Sequence, residues 1–145
     1  EMTSSLVGSE MCIRDSFRGD DDIVIGAISS APLLLGKAGL LEGRRFCHGA
    51  FEELLDAFPV LPREGVVRSK LVEDGNLVTA CGDAFREFAA AVARKVGIDC
   101  GEQVFSGVTG KTYTEADCTY HLPPELWEEA RADWERCVRE AVKFS

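Results

Sequence analysis

Cysteine and histidine are the residues of this 145-residue chain with the most versatile chemistry, because they act as nucleophiles, redox groups and metal ligands. The cysteines are irregularly spaced and form no Cys-x-x-Cys pair, and 46% of the chain is apolar, which is enough for a core without disulfide support. We therefore expect free thiols in a reducing compartment, and hence a cytoplasmic protein. The six cysteines are Cys12, Cys47, Cys81, Cys100, Cys118 and Cys137.

Metal-ligand spacing occurs once in the chain. Cys118 and His121 are separated by two residues, which a metal ion can use, and the other soft ligand nearby in the sequence is Cys100. Because a zinc site usually takes four ligands, we expect no metal and no cofactor. His121 is then interpreted as a loop residue.

The segment between residues 17 and 101 alternates strand-like and helix-like patterns. Ile23–Ile28 is a nearly unbroken, β-branched run, typical of a strand buried on both faces of a parallel sheet. Ser29 and Ser30 end this run, and a helix is predicted over Ser30–Gly39 with Pro32 in its first turn. A strand, a tight turn and a helix together begin a βα unit.

Further elements follow in the same alternation. The Asp-Gly pair within Glu73–Asn76 indicates the turn of a hairpin. The acidic residues Glu52, Glu53 and Asp56 are expected on the solvated side of their helix. Strands that alternate with helices predict an α/β layer fold with some antiparallel edge pairing. The predicted elements are a strand at Arg44–Cys47, a helix at Ala50–Phe58, hairpin strands at Val66–Val72 and Leu77–Cys81, and a helix at Phe85–Val96.

Composition argues against two classes of partner. Lysine and arginine number 16 against 25 aspartate and glutamate residues, which gives a net charge of −9. This charge repels phosphate backbones and no basic stripe offsets it, so no nucleic-acid partner is expected. No apolar run approaches the roughly 20 residues that a membrane-spanning helix needs, so no membrane association is expected either.

Residues 1–16 differ in character from the sequence that follows. Ser4–Ser16 reads SSLVGSEMCIRDS, in which MCIRDS looks like one reading frame of a transposon-end sequencing adapter. The alternative is a native leader, but the segment lacks the basic start, continuous apolar stretch and cleavage site of a secretory signal. We interpret it as non-native, and we expect the true chain to continue upstream, so that this sequence is truncated.

Two stretches carry a family pattern: IGAISSAPLLLGKAGLLEGRRFCHG at Ile25–Gly49, and VEDGNLVTACGDAFREFAAAVARKVG at Val72–Gly97. Together they resemble the C-terminal half of the DJ-1/PfpI family, within the class I glutamine amidotransferase-like superfamily. The resemblance runs from about Asp22 to Ile98. It implies a flavodoxin-like, three-layer α/β sandwich, incomplete at its N-terminus, with residues 17–101 as the C-terminal half of the domain.

The resemblance also implies a site. The family's nucleophilic cysteine falls on Ser29, at an elbow between strand and helix, and His48 is similar in position to the family's elbow-facing His. The backbone N–H of Ser30 is then an oxyanion donor, supported by the helix dipole. Because a serine hydroxyl does not ionise as a thiol does, it needs a general base, and a Ser29–His48 pair with a carboxylate would supply one.

Three functions stay open for this chain. The first is a DJ-1/PfpI-like protein without the cysteine-dependent glyoxalase-like or deglycase-like activities, which binds a small metabolite over Ser29. The second is a hydrolase or transferase that uses Ser29 and His48. The third is a structural or regulatory interaction domain that uses the helix with Trp127 and Trp134. The alternative to a functional Ser29 is that it only caps the following helix. Whether the chain is an enzyme is left open, and Cys47 is either a redox thiol or a buried apolar residue.

Residues 102–145 are predicted to be an extension. A polar connection leads to Pro123 and Pro124, and a helix is predicted over Glu125–Phe144. We expect the apolar stripe of this helix to pack on its own domain. Its two tryptophans leave an interface with a partner open, because large aromatic residues often anchor interfaces. A homodimer of the intact protein also stays open. The stripe consists of Trp127, Ala130, Trp134, Cys137, Val138 and Ala141.

Overall fold

The computed structural model describes residues 22–57, 59–100 and 114–142. Single 3₁₀ turns lie at Arg63–Gly65, Gly82–Ala84, Ala116–Cys118 and Pro124–Leu126. The segment interpreted as non-native lies outside these ranges, as do Phe58 and Phe144. The α-helices and strands in chain order are β1 (Ile25–Ile28), α1 (Pro32–Lys37), α2 (Glu52–Ala57), β2 (Leu71–Asp74), β3 (Leu77–Ala80), α3 (Phe85–Lys95) and α4 (Trp127–Val142).

The strands form one mixed sheet in the order β1-β3-β2. β1 runs parallel to β3, with Ile25 opposite Leu77, and β2 pairs with β3 in the antiparallel sense. The hairpin turns through Gly75 and Asn76, where Gly75 has a φ of 56°, a left-handed conformation that glycine adopts without steric cost. The predicted parallel strand and the predicted Asp-Gly hairpin are both confirmed.

Several strands are shorter than predicted. β1 begins at Ile25 and lies at an edge of this sheet, with Gly26 exposed, so the expectation of burial on both faces is wrong. The predicted strand at Arg44–Cys47 is reduced to an isolated bridge between Phe46 and Val66. β2 begins only at Leu71. A continuous ladder of hydrogen bonds defines a strand, and apolar composition alone does not supply one.

The predicted helices are present with shifted ends. α1 spans Pro32–Lys37 and is followed by a turn in which Gly39 has a φ of 70°. α2 is also shorter than predicted, and α3 ends at Lys95, one residue before the predicted end. α4 begins at Trp127 because the residues after Pro123 first make a 3₁₀ turn.

Helical residues pack against both faces of the sheet. On one face, α3 lies so close to β1 that a Cβ atom on Gly26 would be 3.0 Å from Cζ of Phe88. On the other face, Ile25 and Trp134 pack against a buried cluster, so the C-terminal helix contacts its own domain as expected. In the described ranges no helix has the length and apolarity needed to cross a bilayer. The cluster consists of Leu33, Leu41, Phe46, Ala50, Leu55, Leu61 and Leu77.

Gly36 tests this packing. Glycine inside a helix normally costs about 1 kcal/mol relative to alanine, but a Cβ at Gly36 would overlap the backbone carbonyl oxygen of Val60. We expect Gly36→Ala to lower the free energy of unfolding by about 1–3 kcal/mol, because backbone must move. Urea unfolding measures the change. Lys37→Ala, at the exposed next position, is the control, and an unchanged or higher midpoint for Gly36→Ala would contradict the packing.

Candidate functional site

Ser29 occupies a strained turn directly after β1. It is exposed, and its φ of 60° makes it the one non-glycine residue with positive φ in the part of the chain that the structure describes. That conformation costs about 1–2 kcal/mol in an L-residue. Two backbone hydrogen bonds hold it: the Ser29 N–H donates to O of Ala80 at 2.8 Å, and the Gly49 N–H donates to O of Ser29 at 2.7 Å.

Two glycines enclose this turn. A Cβ atom on Gly82 would lie 3.2 Å from Oγ of Ser29, and one on Gly49 would lie 3.2 Å from Cα of Ser29. Three chain segments therefore meet with little side-chain volume between them. They meet at the carboxyl ends of the parallel strands β1 and β3, the edge at which open α/β sheets bind ligands.

Ser29 does not cap the following helix. The N-cap of α1 is Ala31, and no side chain makes a capping hydrogen bond there. The alternative that explained Ser29 as an N-cap is therefore wrong, because α1 starts later than predicted. Ser30 is exposed and lies before the helix, and its role as an oxyanion donor stays a prediction.

His48 lies beneath the surface next to Gly49. Its side chain is buried, and neither ring nitrogen has a hydrogen-bond partner among the residues described. Burial lowers the pKa of His48. The negative charge of Glu52 opposes this shift, and the positive charge of Arg68 adds to it. Because the pKa lies below its ordinary value, the ring is neutral at pH 7. The structure thus brings the His48 segment to Ser29 through the backbone of Gly49, but it does not place His48 in a hydrogen bond with Oγ of Ser29.

The carboxylate of Glu52 lies near enough to His48 for its charge to act on the pKa of the ring, and a catalytic histidine needs such a carboxylate. Glu52 accepts hydrogen bonds from Arg68 at 2.5 Å and from Arg63 at 3.3 Å. Burial raises the pKa of Glu52, but the Arg68 hydrogen bond and charge outweigh burial and hold this pKa below its usual range. Asp56 pairs with Arg63 at 2.7 Å, so two of the acidic residues expected on a solvated face of α2 are engaged in ion pairs.

Cys118 and His121, the two residues with metal-ligand spacing, lie in different environments. His121 is exposed and pairs through Nδ1 with Glu53 at 2.8 Å, whereas Cys118 is buried. The His121 contact lowers the pKa of Glu53 to about 2. Within residues 22–57, 59–100 and 114–142, no group of three or more His, Cys, Asp and Glu side chains is arranged to hold a metal ion.

Cys81 is a site residue that sequence reasoning missed. It is fully buried, directly follows β3, and lies beside Cys47. The contact with Cys47 and the charge of Lys70 lower the pKa of Cys81 despite its burial. The same contact raises the pKa of Cys47. The sequence signal that could have identified Cys81 is its position at the end of a predicted strand, since Ser29 also lies at the end of one.

Comparison with known proteins identifies the family of this chain. The sequence model of the DJ-1/PfpI family matches residues 12–95, more than half of the chain, and the chain belongs to that family. The chain is similar to an isonitrile hydratase of Pseudomonas putida, at 36% identity over 83 residues. This match covers 55% of the chain and 35% of the relative, so the chain spans about a third of that protein. No solved structure matches the chain significantly.

The burial of His48 predicts a pH dependence of stability. Its pKa is lowered by folding, so the unfolded chain binds the proton more tightly, and stability falls as the pH drops below the ordinary value of 6.5. Urea unfolding at about pH 7, 6 and 5 measures this. We expect His48→Gln to flatten the profile, while Ser30→Ala, an exposed control, keeps the slope of the parent. Equal slopes for all three proteins would contradict the assignment.

Proposed function

We propose that the chain is the C-terminal part of a flavodoxin-like, three-layer DJ-1/PfpI-like protein whose Ser29 turn binds a small metabolite without cysteine chemistry. The observation that carries this proposal is the positive φ of exposed Ser29, held between Gly49 and Gly82. Strain of this kind persists only where the surrounding structure imposes it, and it is concentrated at ligand and active sites.

The side chain at the turn argues for binding rather than for thiol catalysis. The family pattern has its nucleophilic cysteine at Ser29, and a hydroxyl does not form the reactive anion that a thiol forms near neutral pH. The similar protein of Pseudomonas putida is an isonitrile hydratase. We infer that this chain shares the backbone geometry of such proteins, and that Ser29 offers a hydroxyl to a polar ligand in place of a nucleophile.

The proposed organisation assigns residues 17–101 to the family domain and residues 102–145 to an extension. Support for the second assignment comes from Trp134, which packs against the core cluster. Residues 1–16 are proposed to be non-native, although the family match extends into them as far as residue 12. The intact protein is proposed to be cytoplasmic, and it is proposed to be a homodimer.

Restoring the thiol tests whether the turn is preorganised. We expect Ser29→Cys to alkylate with iodoacetamide at least about tenfold faster than Ser30→Cys, because only the first position lies in the strained turn. Peptide mapping of residues 25–37 separates the introduced thiol from the six native cysteines. We also expect methylglyoxal to protect the thiol introduced at position 29, since the thiol adds to the aldehyde carbonyl.

The Ser30→Cys variant is a matched control because both positions are exposed and adjacent. Equal alkylation rates at the two positions would show that the turn confers no special environment. Protection of both thiols by methylglyoxal would likewise indicate solvent exposure alone.

A second candidate is a hydrolase in which His48 is the base for Ser29. The observation that favours it is a buried ring with a lowered pKa, hence neutral, next to Gly49. Catalytic hydrogen bonds often tighten only when substrate binds, so such a pair is compatible with the absence of a hydrogen bond between Ser29 and His48.

Ester hydrolysis separates the two candidates. For a binding protein we expect Ser29→Ala to leave the slow hydrolysis of p-nitrophenyl acetate by the parent unchanged within about twofold, because no acyl-serine intermediate is involved. A decrease of about a hundredfold or more in kcat/KM for Ser29→Ala, with a similar loss for His48→Gln, would establish the hydrolase instead.

A further inference from the structure

Three buried cysteines lie together behind the Ser29 turn, and the proposed function uses none of them. They are Cys47, Cys81 and Cys118, with relative exposures of 1%, 0% and 3%. All are free thiols in the structure. Buried cysteines are ordinary core residues when they are isolated, so the contacts between these thiols decide whether they do more.

Cys47 and Cys81 are held in contact by the backbone of both segments. Sγ of Cys47 lies 3.3 Å from O of Thr79, and the Cys47 N–H donates to Oγ1 of Thr79 at 3.0 Å. In return, Sγ of Cys81 lies 3.3 Å from O of His48. Each thiol therefore lies against a carbonyl next to the other cysteine, and the two side chains interact with each other.

A buried cation polarises one thiol of this pair. The ammonium of Lys70, with a side chain only 6% exposed, donates to Asp83 at 2.7 Å and to the hydroxyl of Tyr120 at 2.9 Å. The Tyr120 hydroxyl donates its proton to Oδ1 of Asp83 at 3.2 Å. The positive charge of Lys70 favours the ionised form of Cys81.

We propose that Cys47 and Cys81 form a redox-active dithiol that hydroperoxides oxidise reversibly to an intramolecular disulfide. The Cys81 thiolate attacks one oxygen of the hydroperoxide, so an S–O bond forms, the O–O bond breaks, and the leaving oxygen takes a proton to become an alcohol or water. Cys47 then attacks the sulfenic sulfur, the S–S bond forms, and the S–O oxygen leaves as water with the Cys47 proton. The dithiol loses the two electrons that the peroxide gains.

Exposed and half-buried residues surround the buried Cys81. Gly82, the next residue, is exposed and contacts exposed Ser29, and Tyr120 is half-buried. Cys118 is a poorer partner, because it interacts with Cys81 through charge alone, whereas Cys47 also makes a side-chain contact with it.

Peroxide titration of the reduced full chain tests the dithiol. With about one equivalent of hydrogen peroxide, we expect the intact mass to fall by about 2 Da, and dithiothreitol to reverse the change. Peptide mapping should yield one cross-linked species that joins Cys47 to Cys81. A link from Cys81 to Cys118, or oxygen addition without any cross-link, would overturn the proposed pair, and this result does not depend on any variant.

Three single substitutions assign the roles. Cys81→Ser should slow thiol loss at least about tenfold, because the attacking group is removed. Cys47→Ser should leave Cys81 as a sulfenic acid that dimedone traps, with no disulfide. Cys100→Ser, the control outside the pair, should behave as the parent does. Disulfide formation at the parental rate in Cys47→Ser would refute the pairing, whereas loss of ligand binding at Ser29 would leave it unaffected.

Discussion

The hydrogen bond from the Ser29 N–H to O of Ala80 ends the parallel pairing of β1 with β3, and the rest of the site depends on it. It sets the position along the sheet at which β1 and β3 end. The residues that follow these strands, Ser29 and Cys81, therefore leave the sheet at the same edge. The segment that ends at Gly49 closes over this edge through its own hydrogen bond to Ser29. A one-residue slip of the register would move every side chain of β1 to the opposite face.

One edge of the sheet thereby supports two chemically different surfaces. Outward, Ser29 stands exposed between two glycines, a geometry suited to a ligand that approaches the backbone closely. On the inner side, the thiols of Cys47 and Cys81 lie together near Lys70. The outer surface therefore offers a hydroxyl, whereas the inner surface offers thiols.

Local patterns were sufficient for the helices and the hairpin. The apolar spacing of α3 and the Asp-Gly turn depend on residues close in sequence, and both are found where expected. The prediction of a strand at Arg44–Cys47 was wrong because strand pairing depends on residues that are distant in sequence. Its apolar residues are buried in the core as predicted for a strand, but only Phe46 finds a ladder partner, in Val66 some 20 residues away.

Sequence by itself determined the family resemblance, the α/β alternation and the position of Ser29 after a strand, because motif and periodicity are properties of neighbouring residues. Only the tertiary structure decided that Cys81 lies beside Cys47 and near the charge of Lys70, and that His48 is buried without a bond to Ser29. Those outcomes depend on burial and on charges brought close by folding, such as Lys70 and Glu52, and the linear order of the residues does not encode these distances.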